Sequence, residues 1–233
     1  MNRYRWIGLV GAAAFLALTA GAARADETVS IGGSRAVLIK PKAPRASVIL
    51  IPGGDGAISP GANGEINALK FNQLVRTRHA YAARGLAVLV VDAGTPLDAA
   101  VQYMGAIKRP VTVIGTSRGT IRAAQGIAQG ARPDALVLTS GFLSAGSGSG
   151  QNVMSILGSP ASLPRTLVIH HQQDGCRMTL PAGVDPFIKW SAGRARVVWV
   201  SGGLNEGDPC QARGHHGFNG LDGQVVGIAA GFR

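Results

Sequence analysis

Aromatic side chains are few in this chain of 233 residues, with Phe, Trp and Tyr together making up 5% of it. So little flat ring surface leaves no stacking platform for sugars or bases. Cysteine is scarcer still: only Cys176 and Cys210 occur, which allows a single intramolecular pairing. Carboxylates are outnumbered, 12 Asp and Glu against 23 Lys and Arg, for a formal charge of +11. The basic residues are scattered along the chain, with no block and no interleaved aromatics, so the clustered footprint of a nucleic-acid binder is missing. There is no internal repeat and no linker long enough to divide the chain. The H-E-x-x-H spacing of a metalloprotease is also absent. Beyond the first 25 residues no run is long and apolar enough to cross a bilayer.

Those first residues form a pattern of their own. Arg3 and Arg5 make a basic start, Trp6 to Ala20 an apolar core, and Ala23-Arg24-Ala25 an A-x-A cleavage site. The apolar run, about 15 residues, falls short of the roughly 20 needed to span a membrane, and no cysteine near the cleavage site could accept lipid. Residues 1–25 are therefore expected to be a cleaved signal peptide, and 26–233 a single exported domain without a stable membrane anchor, periplasmic or secreted. Leaving out Arg3, Arg5 and Arg24 lowers the formal charge from +11 to +8. A generally solvated basic surface is the expectation, ahead of attraction to anionic envelope polymers or acidic substrates. In an oxidising compartment a Cys176–Cys210 disulfide is the default.

The stretch that organises the rest is Pro110 to Ala124, PVTVIGTSRGTIRAA. Val111 to Ile114 is an unbroken apolar run, the mark of a strand buried on both faces in a parallel sheet. Gly115-Thr116-Ser117-Arg118-Gly119 follows, and then Ile121, Ala124 and Ala128 recur at helical spacing. Strand, G-x-S-x-G and helix together describe a nucleophile elbow. A sharp turn lifts Ser117 above the sheet edge in a strained conformation, and side chains two positions either side would collide with it. The following helix start places partial positive charge where an oxyanion would form.

Around this stretch, short strands are expected at Thr28–Ile31, Ala36–Ile39, Ser47–Ile51, Leu86–Val91, Ala135–Thr139, Thr166–His170 and Val197–Val200. Helices are expected at Asn63–Arg84, with Ile66, Leu69, Phe71, Leu74 and Val75 on its apolar side, and at Leu97–Lys108, Val153–Leu157, Pro181–Trp190 and Leu221–Phe232. Alternation of strand and helix from Ser47 onward gives an α/β class, a mostly parallel sheet with helices on both faces. Active sites in such sheets lie at the carboxyl ends of the strands.

A serine hydroxyl needs a base to take its proton and an acid to orient that base. Asp174 follows the strand Thr166–His170, and His215 and His216 lie between the last strand and the last helix, so the chain order is Ser, Asp, His. Cys176 and Cys210 flank these loops, so their disulfide would tie the acid loop to the base loop. For the oxyanion, the candidates are the N–H of Arg118 and that of Gly54 in Pro52-Gly53-Gly54-Asp55-Gly56, with Asp55 as second choice in that loop.

With IPGGDG, GTSRG, the Asp174 loop and His216-Gly217-Phe218 in hand, the chain resembles a small α/β-hydrolase of the lidless esterase and dienelactone-hydrolase-like kind, over about Ser47 to Phe232. The resemblance implies hydrolysis of a small ester, or less often a thioester or amide, through an acyl-enzyme on Ser117 with no cofactor. In similar proteins the catalytic histidine directly precedes a Gly-Phe pair, which selects His216 over His215. Serine at the elbow departs from dienelactone hydrolases proper, which carry cysteine, and from haloalkane dehalogenases, which carry aspartate. Pro52 stands where the HGGG type has His. The polar Arg118 suits an anionic substrate. The short segment between Ser140 and Thr166 leaves no room for a large lid. Two competing readings are a metal site built from His170, His171, Asp174, His215 and His216, and a non-catalytic exported binding protein that kept the fold. Adjacent strand positions point His170 and His171 to opposite faces, against the first; the complete Ser, Asp, His set argues against the second.

Overall fold

The computed structural model describes residues 26–232, so the expected leader, residues 1–25, lies outside the described residues. Eight strands form one sheet: β1 (Glu27–Ile31), β2 (Ser34–Ile39), β3 (Ala46–Ile51), β4 (Leu86–Val91), β5 (Val111–Thr116), β6 (Ala135–Thr139), β7 (Thr166–His171) and β8 (Ala195–Val200). Their spatial order is β1-β2-β4-β3-β5-β6-β7-β8. β2 runs antiparallel to both its neighbours, β1 and β4, and every pairing from β4 to β8 is parallel.

Strands β3 to β7 are buried along their whole length, as their continuous apolar runs require in a sheet covered on both faces. Side chains alternate between two cores. Ile49, Leu89, Val113, Leu138 and Val168 enter one, beneath the helices α2 (Leu97–Ile107), α3 (Arg118–Ala128), α4 (Val153–Leu157) and α5 (Val184–Trp190). Leu50, Val88, Ile114, Val137 and Ile169 enter the other, beneath α1 (Gln73–Ala82) and α6 (Asp222–Gly231). Among the described residues no large lid stands over the carboxyl edge, and no helix is long and apolar enough to cross a membrane.

One expected element is corrected. The helix anticipated from Asn63 begins only at Gln73. Gly64 takes a positive φ, and Leu69 does too, at 53°, which a continuous helix does not permit. Glu65 accepts a hydrogen bond from the Asn63 N–H, and Asn72 caps α1 by accepting from the Leu74 N–H at 3.1 Å. The preceding residues form a loop in which Ile66 pairs with Pro60 and Phe71 stands 77% exposed. The apolar spacing there reflects loop residues reaching separately toward the core. Smaller differences lie at element ends: a 3-10 turn occupies Pro181–Gly183 ahead of α5, and β8 begins at Ala195.

Leu89 is completely buried at the centre of one core. Leu89→Ala should lower unfolding free energy by about 3 kcal/mol, read from urea denaturation followed by circular dichroism.

Candidate active site

Ser117 sits between β5 and α3 with φ 52° and ψ −127°, a backbone region that non-glycine residues rarely enter. The chain holds it there by contact. A Cβ on Gly115 would lie 2.7 Å from the Gly119 carbonyl oxygen, and one on Gly119 would lie 2.2 Å from the Ile51 carbonyl oxygen. Both positions must therefore be glycine for β5, α3 and the end of β3 to approach this closely. The Ser117 N–H donates to the Thr139 carbonyl at 3.0 Å, which ties the turn to the end of β6.

Across the sheet edge, the loop after β3 runs against the turn: a Cβ on Gly53 would stand 2.9 Å from the Ser117 Cβ. Arg122, one turn into α3, clamps this loop. Its Nη2 donates to the Pro52 carbonyl and, at 3.4 Å, to that of Gly53, while Nη1 donates to Gly54 at 3.3 Å. Burial and the neighbouring Arg118 charge push the Arg122 guanidinium pKa downward. The Gly53 carbonyl shares a peptide unit with the Gly54 N–H, so the guanidinium fixes that N–H and strengthens it as a donor. The Arg118 N–H is among those that the first turn of a helix leaves without an intrahelical acceptor. Gly54, Ser117 and Arg118 line one cavity of about 550 Å³ together with His216.

His216 is buried, and its Nδ1 lies 3.0 Å from Asp174 Oδ2 and 2.9 Å from Thr179 Oγ1. A carboxylate only accepts, so Nδ1 carries the proton and Nε2 keeps a free lone pair. Asp174 lies beneath, fully enclosed. It accepts from the Cys176 N–H at 2.9 Å and from the Thr179 hydroxyl at 3.0 Å as well as from His216. Two further contacts hold the histidine loop: Ser140 Oγ donates to the His216 carbonyl at 2.7 Å, and Arg76 Nη2 donates to that of Gly217 at 2.7 Å. Arg76 also pairs with Asp222 at 2.7 Å.

The two histidines thus part company. His215 turns away, its Nδ1 3.2 Å from the Gln173 carbonyl and its ring stacked on His171 at 4.1 Å between centroids. Cys176 and Cys210 are bonded, and both line the cavity. The disulfide joins residues 34 apart, and closing such a loop is worth about 4 kcal/mol in chain-entropy arithmetic. Asp55 also lines the cavity, but its carboxylate is engaged by the Ala57 N–H of its own loop. Among the described residues, no group of three His, Cys, Asp or Glu side chains is arranged to hold a metal ion. His170 and His171 do point to opposite faces of β7: one ring meets Trp199 and the other His215.

Thr179, Ser140, Arg76 and Arg122 carry no mark in the sequence, because their partners lie far away in the chain and no spacing sets them apart. In the sequence His170 stands out only as a candidate metal ligand. It is completely buried 3.6 Å from Asp174 Oδ2, and its Nε2 donates to the Thr179 carbonyl at 2.9 Å. Burial lowers its pKa from 6.5 to about 4, against the attraction of Asp174. A neutral His170 therefore supports the backbone of the residue that bridges Asp174 and His216.

No family model matches the sequence, and no curated sequence matches it. Solved structures do match in shape. TT1662 from Thermus thermophilus aligns with a TM-score of 0.59 at 18% identity, covering 88% of this chain and 95% of its own. A dienelactone hydrolase from Anabaena variabilis gives 0.57 at 15%, over 89% and 94%. A cold-adapted esterase from an Arctic intertidal metagenomic library gives 0.58 at 13%, over 88% and 92%. The fold is that of the α/β-hydrolases.

A histidine neutral in the folded state and readily protonated once unfolded makes stability fall with acid. For His170 the loss should run from about pH 6.5 down to pH 4 and reach about 3 kcal/mol. Urea midpoints across that range should drop for the wild type and flatten for His170→Gln.

Proposed function

We propose that this protein is an exported serine hydrolase that cleaves a small carboxylic ester through an acyl-enzyme on Ser117. The observation that carries the reading is the hydrogen-bonded Asp174–His216 pair, whose histidine lines the same cavity as the positive-φ Ser117. The esterase and the dienelactone hydrolase of similar shape support the reaction class.

In this reading His216 Nε2 takes the Ser117 proton as Oγ attacks the ester carbonyl. The imidazolium that forms is stabilised by Asp174 and held in orientation by Thr179. Negative charge gathering on the carbonyl oxygen is met by the N–H groups of Gly54 and Arg118, the first held rigid by Arg122. The alcohol leaves with the proton from Nε2, and water, activated by the same nitrogen, releases the acid. Leu69, Phe71, Phe142 and Met178 give the cavity an apolar wall for the acyl or alcohol part, and Lys70 and Arg118 bring positive charge to it. A thioester fits the same chemistry, and an amide fits it less readily, because an amine is a poorer leaving group than an alcohol. Export, by way of residues 1–25, accords with the disulfide.

Purified wild type should take up one fluorophosphonate adduct by intact mass, and Ser117→Ala none; turnover retained by Ser117→Ala would sink the assignment. An unlabelled wild type would favour a binding protein on a hydrolase fold. His216→Ala should lower kcat by at least about 10³-fold, while His215→Ala stays near wild type. Thr179→Val removes one hydroxyl bonded to a charged group and should lower kcat by about ten- to a hundredfold. Thr179→Ser should restore most of that rate on a p-nitrophenyl ester.

A further inference from the structure

Basic residues scattered along the chain are gathered by the topology. Every parallel strand starts from the same edge of the sheet, and an arginine stands within three residues before each one: Arg84, Arg45, Arg109, Arg132, Arg165 and Arg194, in the spatial order β4-β3-β5-β6-β7-β8. All six are exposed. Adjacent strands lie about 4.8 Å apart, so the row crosses about 24 Å of one end of the molecule. Arg196 adds a second rank, lying with Arg165 over the buried ring of Phe232.

The local duties of these side chains leave charge over. Arg45, Arg84 and Arg194 each spend one nitrogen on a carbonyl oxygen and Arg132 one nitrogen on two, largely at helix ends and loops, where a cation also offsets the helix dipole. The remaining guanidinium donors face outward. Among the described residues the carboxylate at this edge is Asp134, which is bonded to Arg109. Most other acidic groups lie toward the carboxyl edge, among them Asp55, Asp92, Glu206 and Asp208 in loops that follow strands and Asp222 at the start of α6. The net charge of the protein is thus concentrated on the end opposite Ser117.

We propose that this arginine edge docks the protein on a lipid surface rich in anionic phospholipid headgroups, with the cavity left open to solution. Guanidinium groups bind phosphate through paired N–H donors, and a broad rank of them suits a planar array of headgroups. Trp190, half-buried at the foot of α5 on the same end, is the residue type that settles at a headgroup boundary. A nucleic acid is disfavoured: Phe232 is buried beneath its arginines, so no row of exposed rings interleaves them to stack bases.

The test uses residues 26–233, the chain that remains once residues 1–25 are removed on export as proposed above. Co-sedimentation with phosphatidylglycerol–phosphatidylcholine vesicles should show binding that weakens at least tenfold from low to physiological salt. Pure phosphatidylcholine vesicles should leave the protein in solution. Arg165→Glu with Arg196→Glu should lower vesicle affinity at least tenfold while p-nitrophenyl ester turnover, or Ser117 labelling, stays unchanged. Arg35→Glu with Arg177→Glu, the same charge change at the other end, should cost much less. Equal losses from both pairs, no binding to anionic vesicles at low salt, or displacement from vesicles by an equal phosphate concentration of single-stranded DNA would each overturn the proposal. Because vesicle binding is read apart from labelling, an inert Ser117 would leave the docking result standing.

Discussion

A buried carboxylate is the constraint on which the rest of the site depends. Asp174 is withdrawn from water, which costs several kcal/mol unless hydrogen bonds replace the lost solvation. Cys176 N–H, the Thr179 hydroxyl and His216 Nδ1 replace it. Each of these donors has to be brought in by a different device. The disulfide pins the Cys176 loop, the neutral His170 holds the Thr179 carbonyl, and Ser140 and Arg76 hold the backbone around His216. Loops from three parts of the chain are thereby fixed to one another over a single anion.

Ser117 is held in a different way, by steric exclusion. Its strained backbone persists because β3, β5 and α3 approach more closely than any side chain at Gly115 or Gly119 would allow. Arg122 couples this turn to the neighbouring glycine-rich loop, since it stands on the helix that the turn begins and bonds to three successive carbonyls of that loop. The cavity is therefore bounded on one side by charge pairing and on the other by packing, both anchored at the carboxyl edge of one sheet.

The same topology that builds the site also separates the charges. In a parallel sheet all strand starts fall on one edge and all strand ends on the other. Arginines placed before strands and carboxylates placed after them therefore end up on opposite ends of the molecule, although neither forms a block in the chain.

Periodic and local features were legible in the sequence. The apolar runs of β3 to β7, the elbow between β5 and α3, the glycine-rich loop and the order of Ser117, Asp174 and His216 all follow from short-range sterics and burial, which leave their mark within a few residues. The stretch from Asn63 to Asn72 misled, because apolar spacing cannot distinguish a helix face from loop residues that dip singly into a core, and Gly64 and Asn72 carried the contrary signal. What only the tertiary structure decided is which side chains meet across long separations: Thr179 between Asp174 and His216, Arg122 on the Pro52–Gly54 carbonyls, Ser140 beneath the histidine loop, and the arginine edge. Such contacts depend on strand order and loop closure, and these are properties of the folded sheet that no local pattern encodes.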